Sequence, residues 1–399
     1  MSGEGTGAGT GLRPIFLVAG EPSGDQLGGR LMAAMRRRAG GELRFLGVGG
    51  ERMAEQGLDS LFPMRELSVM GLTEVLPHLA RILARMAETE AAARAARPAV
   101  FVSIDSPGFS LRLARRLKDS GMPLVHYAAP SVWAWKPWRA RRIARYLDHL
   151  LCLLPFEPPY FERHGLPTTF VGHPAIEALA EAGGGAGAAF RERHGLPGEA
   201  PLLCVLPGSR MGEVRRLLPL FGEALGRLPK DLEGLRVVVP TVPGVAEAVR
   251  AGTAAWPLPT LVVEGVRDKY GAFAAARAAL AASGTVAVEL AVAGVPTVIG
   301  YRVGELSAAI ARRMIRVRFV SIPNLVLDRA VMPEFLQQDC TPAKLAGALG
   351  PLLAGGPERE AQLSGLREAV ALLGGAGPGS PSEQAAAIVL ALADRARSS

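Results

Sequence analysis

The chain has 399 residues, 49% of them hydrophobic, with 45 Lys and Arg against 37 Asp and Glu and a formal net charge of +8. That length and apolar content support more than one core, and 21% charged residues exclude a chain disordered throughout. Three cysteines, Cys152, Cys204 and Cys340, stand far apart in apolar surroundings. That spacing excludes a disulfide framework or a cysteine metal cluster and favours a reducing compartment.

In chain order, MSGEGTGAGTGLRP reads as a flexible tail, with no basic stretch followed by an apolar one as in a signal peptide. Beyond it PIFLVAG, LRFLGVGG, AVFVSID, PLVHYAA, LLCLLPF and TTFVGHP alternate with helix-like stretches, which predicts a parallel sheet covered on both faces. The run GGGAG at 183–187 marks a hinge, after which LLCVLPGSR, LRVVVPT, TLVVEGV, ALAASGT and PTVIGYR restart the pattern. The fold class is therefore α/β, with two doubly wound, Rossmann-like domains at 13–182 and 188–378 facing across a cleft. A last helix within 379–399 has no strand behind it and could cross back onto the first domain. The charge-poor run at 279–301 contains Glu289 and a Gly294-Val295-Pro296 break, so it predicts a buried helix and strand rather than a membrane span.

Several stretches carry residues fit for chemistry. VAGEPSGDQLGGRL (18–31) is a strand-to-helix turn whose Ser23 and Asp25 are helix caps or cleft contacts; it lacks the second acidic residue of a nicotinamide-binding turn. In GLTEVLPHLARILARM (71–86), Leu72, Val75, Leu76, Leu79, Ile82, Leu83 and Met86 share one helical stripe bordered by Arg81 and Arg85. Such a stripe is ordinarily core. With Pro77 breaking the helix and no strand close behind, it becomes a candidate lipid contact.

Asp105, at the carboxyl end of the strand AVFVSI, would point into the cleft and serve as a general base, or would cap the next helix. His126 and His173 end strands without ligand spacing to another His, Asp or Cys, so each is either structural or cleft-facing. Trp133, Trp135 and Trp138, three of the four tryptophans, fall among Lys136, Arg139, Arg141, Arg142 and Arg145. Two readings stand: an interfacial aromatic and basic surface, or Trp133 and Trp135 packed at the cleft wall with Trp138 exposed. LPGSRMGEV joins a strand to a helix through Gly208, Ser209 and Arg210, with Glu213 in the first turn. Backbone N–H groups, a helix start and a guanidinium there suit a phosphate. ASGTVAVEL repeats the device with Ser283, Gly284 and Thr285, and Glu289 one turn on could meet ribose hydroxyls.

Taken together, AGEPSGD, GVGGERM, LSVMGLTEVLPHL, SIDSPGFSLRL, HYAAPSVWAWKPWR, LLPFEPPYFERHG, FVGHP, LPGSRMGEV, ASGTVAVEL and FVSIPN closely resemble the lipid-A-disaccharide synthases in order and spacing, over residues 15–395. The resemblance implies a GT-B glycosyltransferase that joins UDP-2,3-diacylglucosamine to 2,3-diacylglucosamine 1-phosphate with inversion, giving a β-1,6 disaccharide 1-phosphate and UDP. It places that step at the cytoplasmic face of the inner membrane. It implies Asp105 as base and the loops of Gly208, Ser209, Arg210, Glu213, Ser283, Gly284, Thr285 and Glu289 around the nucleotide. Ser23, Asp25, His126, Trp133 and Asn324 become acceptor or cleft candidates, and Leu72, Val75, Leu76, Leu79, Ile82 and Leu83 membrane contacts. The UDP-sugar is a substrate, no metal or other cofactor is implied, no nucleic acid is bound, and a homodimer is left open. One departure is Gly108, where the family often reads a second Asp (IDAPDF), so Asp105 would act alone. A UDP-N-acetylglucosamine epimerase would share the nucleotide loops without needing an apolar acceptor surface. A non-enzymatic peripheral or nucleic-acid-binding protein would explain the charge but leave Asp105 and the PGSR loop idle.

Overall fold

The computed structural model describes residues 14–40, 42–67, 72–183, 185–230, 232–304, 317–375 and 379–398, with the side chains of 72–79, 182, 375, 397 and 398 outside the description. The chain divides into two compact units, Met1–Pro174 with Gly377–Ser399, and Ala175–Ala376.

In the first unit β1 (Ile15–Ala19), α1 (Pro22–Ala39), β2 (Phe45–Val48), α2 (Glu51–Ala54), β3 (Asp59–Ser60) and α3 (Leu72–Ala96) lead to β4 (Val100–Ile104). There follow α4 (Ser110–Arg116), β5 (Leu124–Tyr127), α5 (Trp138–Ile143), β6 (His149–Cys152), α6 (Pro158–Glu162) and β7 (Thr168–Phe170). The seven strands pair in parallel in the order β3-β2-β1-β4-β5-β6-β7. Both faces are covered, as the near-continuous apolar strands require. Along β1 the two-residue period sorts the side chains. Ile15, Leu17 and Ala19 enter one core with α1, while Phe16 and Val18 enter the other, shared with α3, α4 and α5.

The final helix, Pro381–Ser398, completes the first of these cores: Ala385, Ala386, Val389 and Ala393 are buried with Leu31, Met35 and Val102. Its exposed Arg37–Glu383 pair, at 3.5 Å, adds little beside that apolar burial.

The second unit begins with α7 (Ala175–Ala182) and α8 (Ala186–Arg193). It continues through β8 (Leu202–Leu206), α9 (Met211–Leu225), β9 (Arg236–Thr241), α10 (Ala246–Thr253), β10 (Thr260–Glu264) and α11 (Val266–Ala275). Then come β11 (Ala278–Ala281), α12 (Val286–Val292), β12 (Thr297–Tyr301) and, later, β13 (Glu334–Leu336). This sheet is also parallel, in the order β10-β9-β8-β11-β12-β13.

The sequence placed the division in the glycine run, but the contacts divide the chain eight residues earlier than residue 182. Ala178 of α7 is buried with Phe190, Phe273 and Leu290 of the second unit, so the helix ahead of the glycines belongs there. Pro77 also fails to end a helix. α3 runs through it to Ala96, close to β4, because a proline removes one intrahelical hydrogen bond and the remaining turns carry the rest. No described helix is long and apolar enough to cross a membrane.

Candidate active site

Each sheet reverses its strand order once, between β1 and β4 in the first unit and between β8 and β11 in the second. Loops diverge at such a point and leave a crevice beyond the carboxyl ends of the strands. The singled-out loops sit there: Ser23 and Asp105 follow β1 and β4, and the PGSR and SGT turns follow β8 and β11.

Asp105 occupies a tightly specified turn. It and Ser106 hold φ of 49° and 45°, and Ala128, one residue past β5, holds 77°. A left-handed conformation costs a non-glycine residue about 1–3 kcal/mol, so surrounding bonds must impose it. They do: the Asp105 N–H donates to the Tyr127 carbonyl at 2.9 Å, the Ser106 N–H donates to Asp105 Oδ1 at 2.7 Å, and the Ser23 hydroxyl donates to Oδ2 at 2.6 Å. Each carboxylate oxygen thus holds one donor and keeps a lone pair free for a proton. The neighbouring Gly20 is closely approached, since a Cβ there would stand 2.7 Å from Ser106 Oγ.

His126, on β5 beside β4, is fully buried, and burial pushes its imidazole down to about 4 despite the opposing pull of Asp105. Its Nδ1 lies 2.8 Å from Ser103 Oγ, whose hydroxyl also reaches the Val125 carbonyl at 3.2 Å, and its Nε2 is without a partner. A neutral, enclosed imidazole is a poor competitor with Asp105 for the base role.

Asp25 is not a cleft residue. It is buried, and its carboxylate accepts the N–H groups of Gly50, Arg52 and Met53 at 2.8, 3.0 and 3.1 Å. It caps α2, bracing the GVGGERM turn from the neighbouring helix.

The tryptophans separate in a way neither reading anticipated. Trp133 packs edge-on to Phe156 with centroids 5.2 Å apart and donates its indole N–H to Glu157 Oε1 at 3.0 Å, while Trp135 and Trp138 are 39% and 59% exposed. Lys136 lies over the Trp135 ring at 4.4 Å. Glu157 was missed in the sequence, although a carboxylate directly ahead of Pro158-Pro159 is a helix-start signal. Burial raises its carboxyl to about 7 against the lowering effect of the Trp133 indole and the Leu154 N–H. Of the apolar stripe, Leu72, Val75, Leu76 and Leu79 lie outside the described side chains; Ile82 is half-buried, Leu83 is exposed and Met86 is buried. Arg85 is held by Glu66 and Glu88 at 2.9 and 2.6 Å, so it is not a free border cation.

In the second unit Gly208 has φ 107°, and a Cβ on it would come within 2.5 Å of Glu213 Oε2. Glu213 folds back to accept the Ser209 and Arg210 N–H groups at 3.2 and 3.4 Å and the Tyr301 hydroxyl at 3.0 Å. It therefore fixes the turn from behind. The Arg210 side chain is 68% exposed, with Glu213 3.8 Å away, which leaves guanidinium donors available to an anion.

Across the switch point Ser283 donates to the Val320 carbonyl at 3.2 Å, Gly284 takes φ 149°, and Thr285 precedes α12 without a side-chain capping bond. Glu289 accepts Lys269 Nζ at 2.7 Å and the Tyr270 hydroxyl at 2.8 Å, so its orientation is set by α11. Asn324 is buried with its whole amide engaged: Nδ2 donates to the Met332 carbonyl and Glu334 Oε1, and Oδ1 accepts the Val331 and Met332 N–H groups, all at 2.8 Å. With two donors and two acceptor sites filled, it is a brace rather than a ligand contact. Glu334, invisible as a signal in the sequence, gathers that segment by also accepting the Ser321 hydroxyl at 2.6 Å.

The family model described as lipid-A-disaccharide synthetase matches residues 15–389, spanning both units. The chain belongs to the lipid-A-disaccharide synthase family. A lipid-A-disaccharide synthase from Rhodospirillum centenum is 56% identical over 378 residues, 94% of each chain, and one from Paramagnetospirillum magneticum is 52% identical over 380 residues, 94% of this chain and 96% of that one. Members of the family are glycosyltransferases.

Among solved structures, UDP-N-acetylglucosamine 2-epimerase from Neisseria meningitidis bound to UDP-GlcNAc aligns with a TM-score of 0.62 over 96% of this chain and 99% of that one, at 10% identity. WaaG, a glycosyltransferase involved in lipopolysaccharide biosynthesis, aligns with a TM-score of 0.55 over 94% and 99%, at 16% identity. These likenesses show the fold, GT-B, which epimerases and glycosyltransferases share. Sequence kinship decides between them in favour of the lipid-A-disaccharide synthases.

Proposed function

We propose that the chain joins UDP-2,3-diacylglucosamine to 2,3-diacylglucosamine 1-phosphate, with Asp105 as the base. The observation that carries this reading is the Asp105 turn: a carboxylate at the switch point of the first sheet, held in a left-handed turn by three hydrogen bonds with a lone pair left on each oxygen.

In this mechanism Asp105 takes the proton of the acceptor 6-hydroxyl as its oxygen attacks C1 of the donor sugar. The new O6–C1 bond forms on the face opposite the leaving group and the C1–O bond to the diphosphate breaks, so an α-linked donor gives a β product. The electron pair leaves with UDP. Arg210 and the N–H groups at the starts of α9 and α12 supply positive potential for that diphosphate, and Glu289, oriented by Lys269 and Tyr270, is placed for ribose hydroxyls. The UDP-sugar enters as a substrate, and the scheme calls on no cofactor.

The same reading places the protein on the cytoplasmic face of the inner membrane as a peripheral protein. Exposed Leu83, Trp135 and Trp138 beside a basic α5 support it, since indoles favour the headgroup region and arginines favour anionic lipid. The test is to supply purified protein with both diacylated sugars and follow UDP release. Release that requires both sugars supports the reading, and release from the donor alone, or none, contradicts it.

A further inference from the structure

A groove on the first unit shares its rim, Leu83 and Trp138, with the membrane-facing surface proposed above, and its interior is a separate feature. It is enclosed by α3, α4 and α5 and holds the side chains of Arg112 and Arg115 from α4, Arg139 and Arg142 from α5, and Tyr146 just beyond. Among the described residues, none of these four arginines forms an ion pair or side-chain hydrogen bond, and no acidic side chain lines the groove. A fifth, Arg116, is taken by Glu90 at 3.2 Å. Tyr146 lines the same groove, and while burial raises its phenol, the positive charges of Arg142, Arg139 and Arg115 pull it down.

Guanidinium groups gathered without a counter-charge repel one another, and an anion with several oxygens relieves this while accepting forked hydrogen bonds. The position is equally telling. Pro107 and Gly108, two and three residues past Asp105, form one wall, so the groove opens beside the proposed base. At the rim stand Trp138, 59% exposed, and Leu83, 44% exposed.

We propose that this groove binds the phosphomonoester of the acceptor, holding the phosphate on one side of the sugar while the hydroxyl on the other reaches Asp105. The assignment rests on the reaction proposed above and adds a substrate subsite to it. A concave cluster fed from two helices and walled by the Asp105 turn fits one localised phosphate better than a membrane surface, which would be met by a flat array. The Trp138 indole gives the sugar a planar apolar face to lie against.

The test uses the full-length double variant Arg115→Ala/Arg142→Ala. Both residues are exposed and give up no internal bond, so melting is expected to match wild type. Removing two charge-assisted contacts raises KM for the phosphorylated acceptor by at least about tenfold to hundredfold. KM for the same diacylated sugar without its phosphate stays unchanged. Equal shifts for both acceptors, or no shift for the phosphorylated one, overturn the proposal. So does a variant that loses binding to phosphatidylglycerol vesicles while its KM in detergent micelles is normal, since the groove would then hold bulk lipid. Titration with glucosamine 1-phosphate separates this inference from the reaction itself. Binding lost in the double variant supports the phosphate site even if no transfer occurs, and binding that survives the substitutions overturns it even if transfer is active.

Discussion

The Ser23 hydroxyl donates to Oδ2 of Asp105 at 2.6 Å, tying the first turn of α1, just beyond β1, to the loop after β4 across the point where the first sheet reverses its strand order. The two residues are 82 positions apart, and the bond fixes which way the carboxylate faces. Ser23→Ala is expected to lower kcat by about tenfold, the scale of one hydrogen bond to a charged group, with Ser23→Thr recovering part of the loss. Titration should find UDP affinity unchanged, because the loops proposed to hold the nucleotide belong to the other unit. A Ser23→Ala enzyme with full kcat would show that the bond orients nothing that matters to turnover.

Arg210 is judged by nucleotide affinity. Its exposed guanidinium lies at a helix start, and losing charge-assisted contacts of about 1.5–3 kcal/mol should weaken UDP binding in Arg210→Ala by roughly tenfold to hundredfold. Gly208→Ala should do at least as much and also destabilise the second unit, since the new Cβ meets Glu213 and the backbone holds φ 107°. Calorimetric titration with UDP reads both, and undiminished affinity in Arg210→Ala would remove the residue from the site.

Much of this was legible beforehand, for a physical reason. Buried parallel strands are continuous apolar runs and their turns need glycine, so eleven strands and the turns at Gly208 and Gly284 could be read directly. The short edge strands β3 and β13 could not, because Asp59-Ser60 and Glu334-Phe335-Leu336 carry no such run. The roles of polar residues were harder still. Asp25 and Asn324 looked like ligand contacts, yet each satisfies backbone groups brought near it only by folding. Glu157 and Glu334 gain their partners in the same non-local way.

Glu157 makes stability depend on pH. Its carboxyl is raised from an ordinary 4.5 to about 7, so between these values the native state binds a proton that the unfolded chain has released. The contribution is fully present below the lower value and is lost as pH rises through the upper one, at about 1.4 kcal/mol per unit of displacement. Urea unfolding followed across that window should show Glu157→Gln losing less stability with rising pH than wild type, while the amide oxygen can still accept the Trp133 indole N–H. Parallel curves for the two proteins would mean that Glu157 is ionised in the fold throughout.

The exposed apolar rim makes a separate prediction. Leu83→Ser/Trp135→Ser/Trp138→Ser should co-sediment less with phosphatidylglycerol vesicles and melt within about 1 °C of wild type, because these side chains contribute little to the core. A large fall in Tm would identify them as packing residues instead.

Asp105→Asn decides the central claim. The amide keeps the size of the carboxylate and can still accept the Ser23 bond, but it cannot take the hydroxyl proton. With both diacylated sugars saturating, the initial rate of UDP release should fall by about 10² to 10⁴ while UDP affinity remains that of wild type, and the acidic limb of kcat/KM against pH should disappear. An Asp105→Asn enzyme that releases UDP at the wild-type rate would contradict the account, because the acceptor would then be losing its proton to another group.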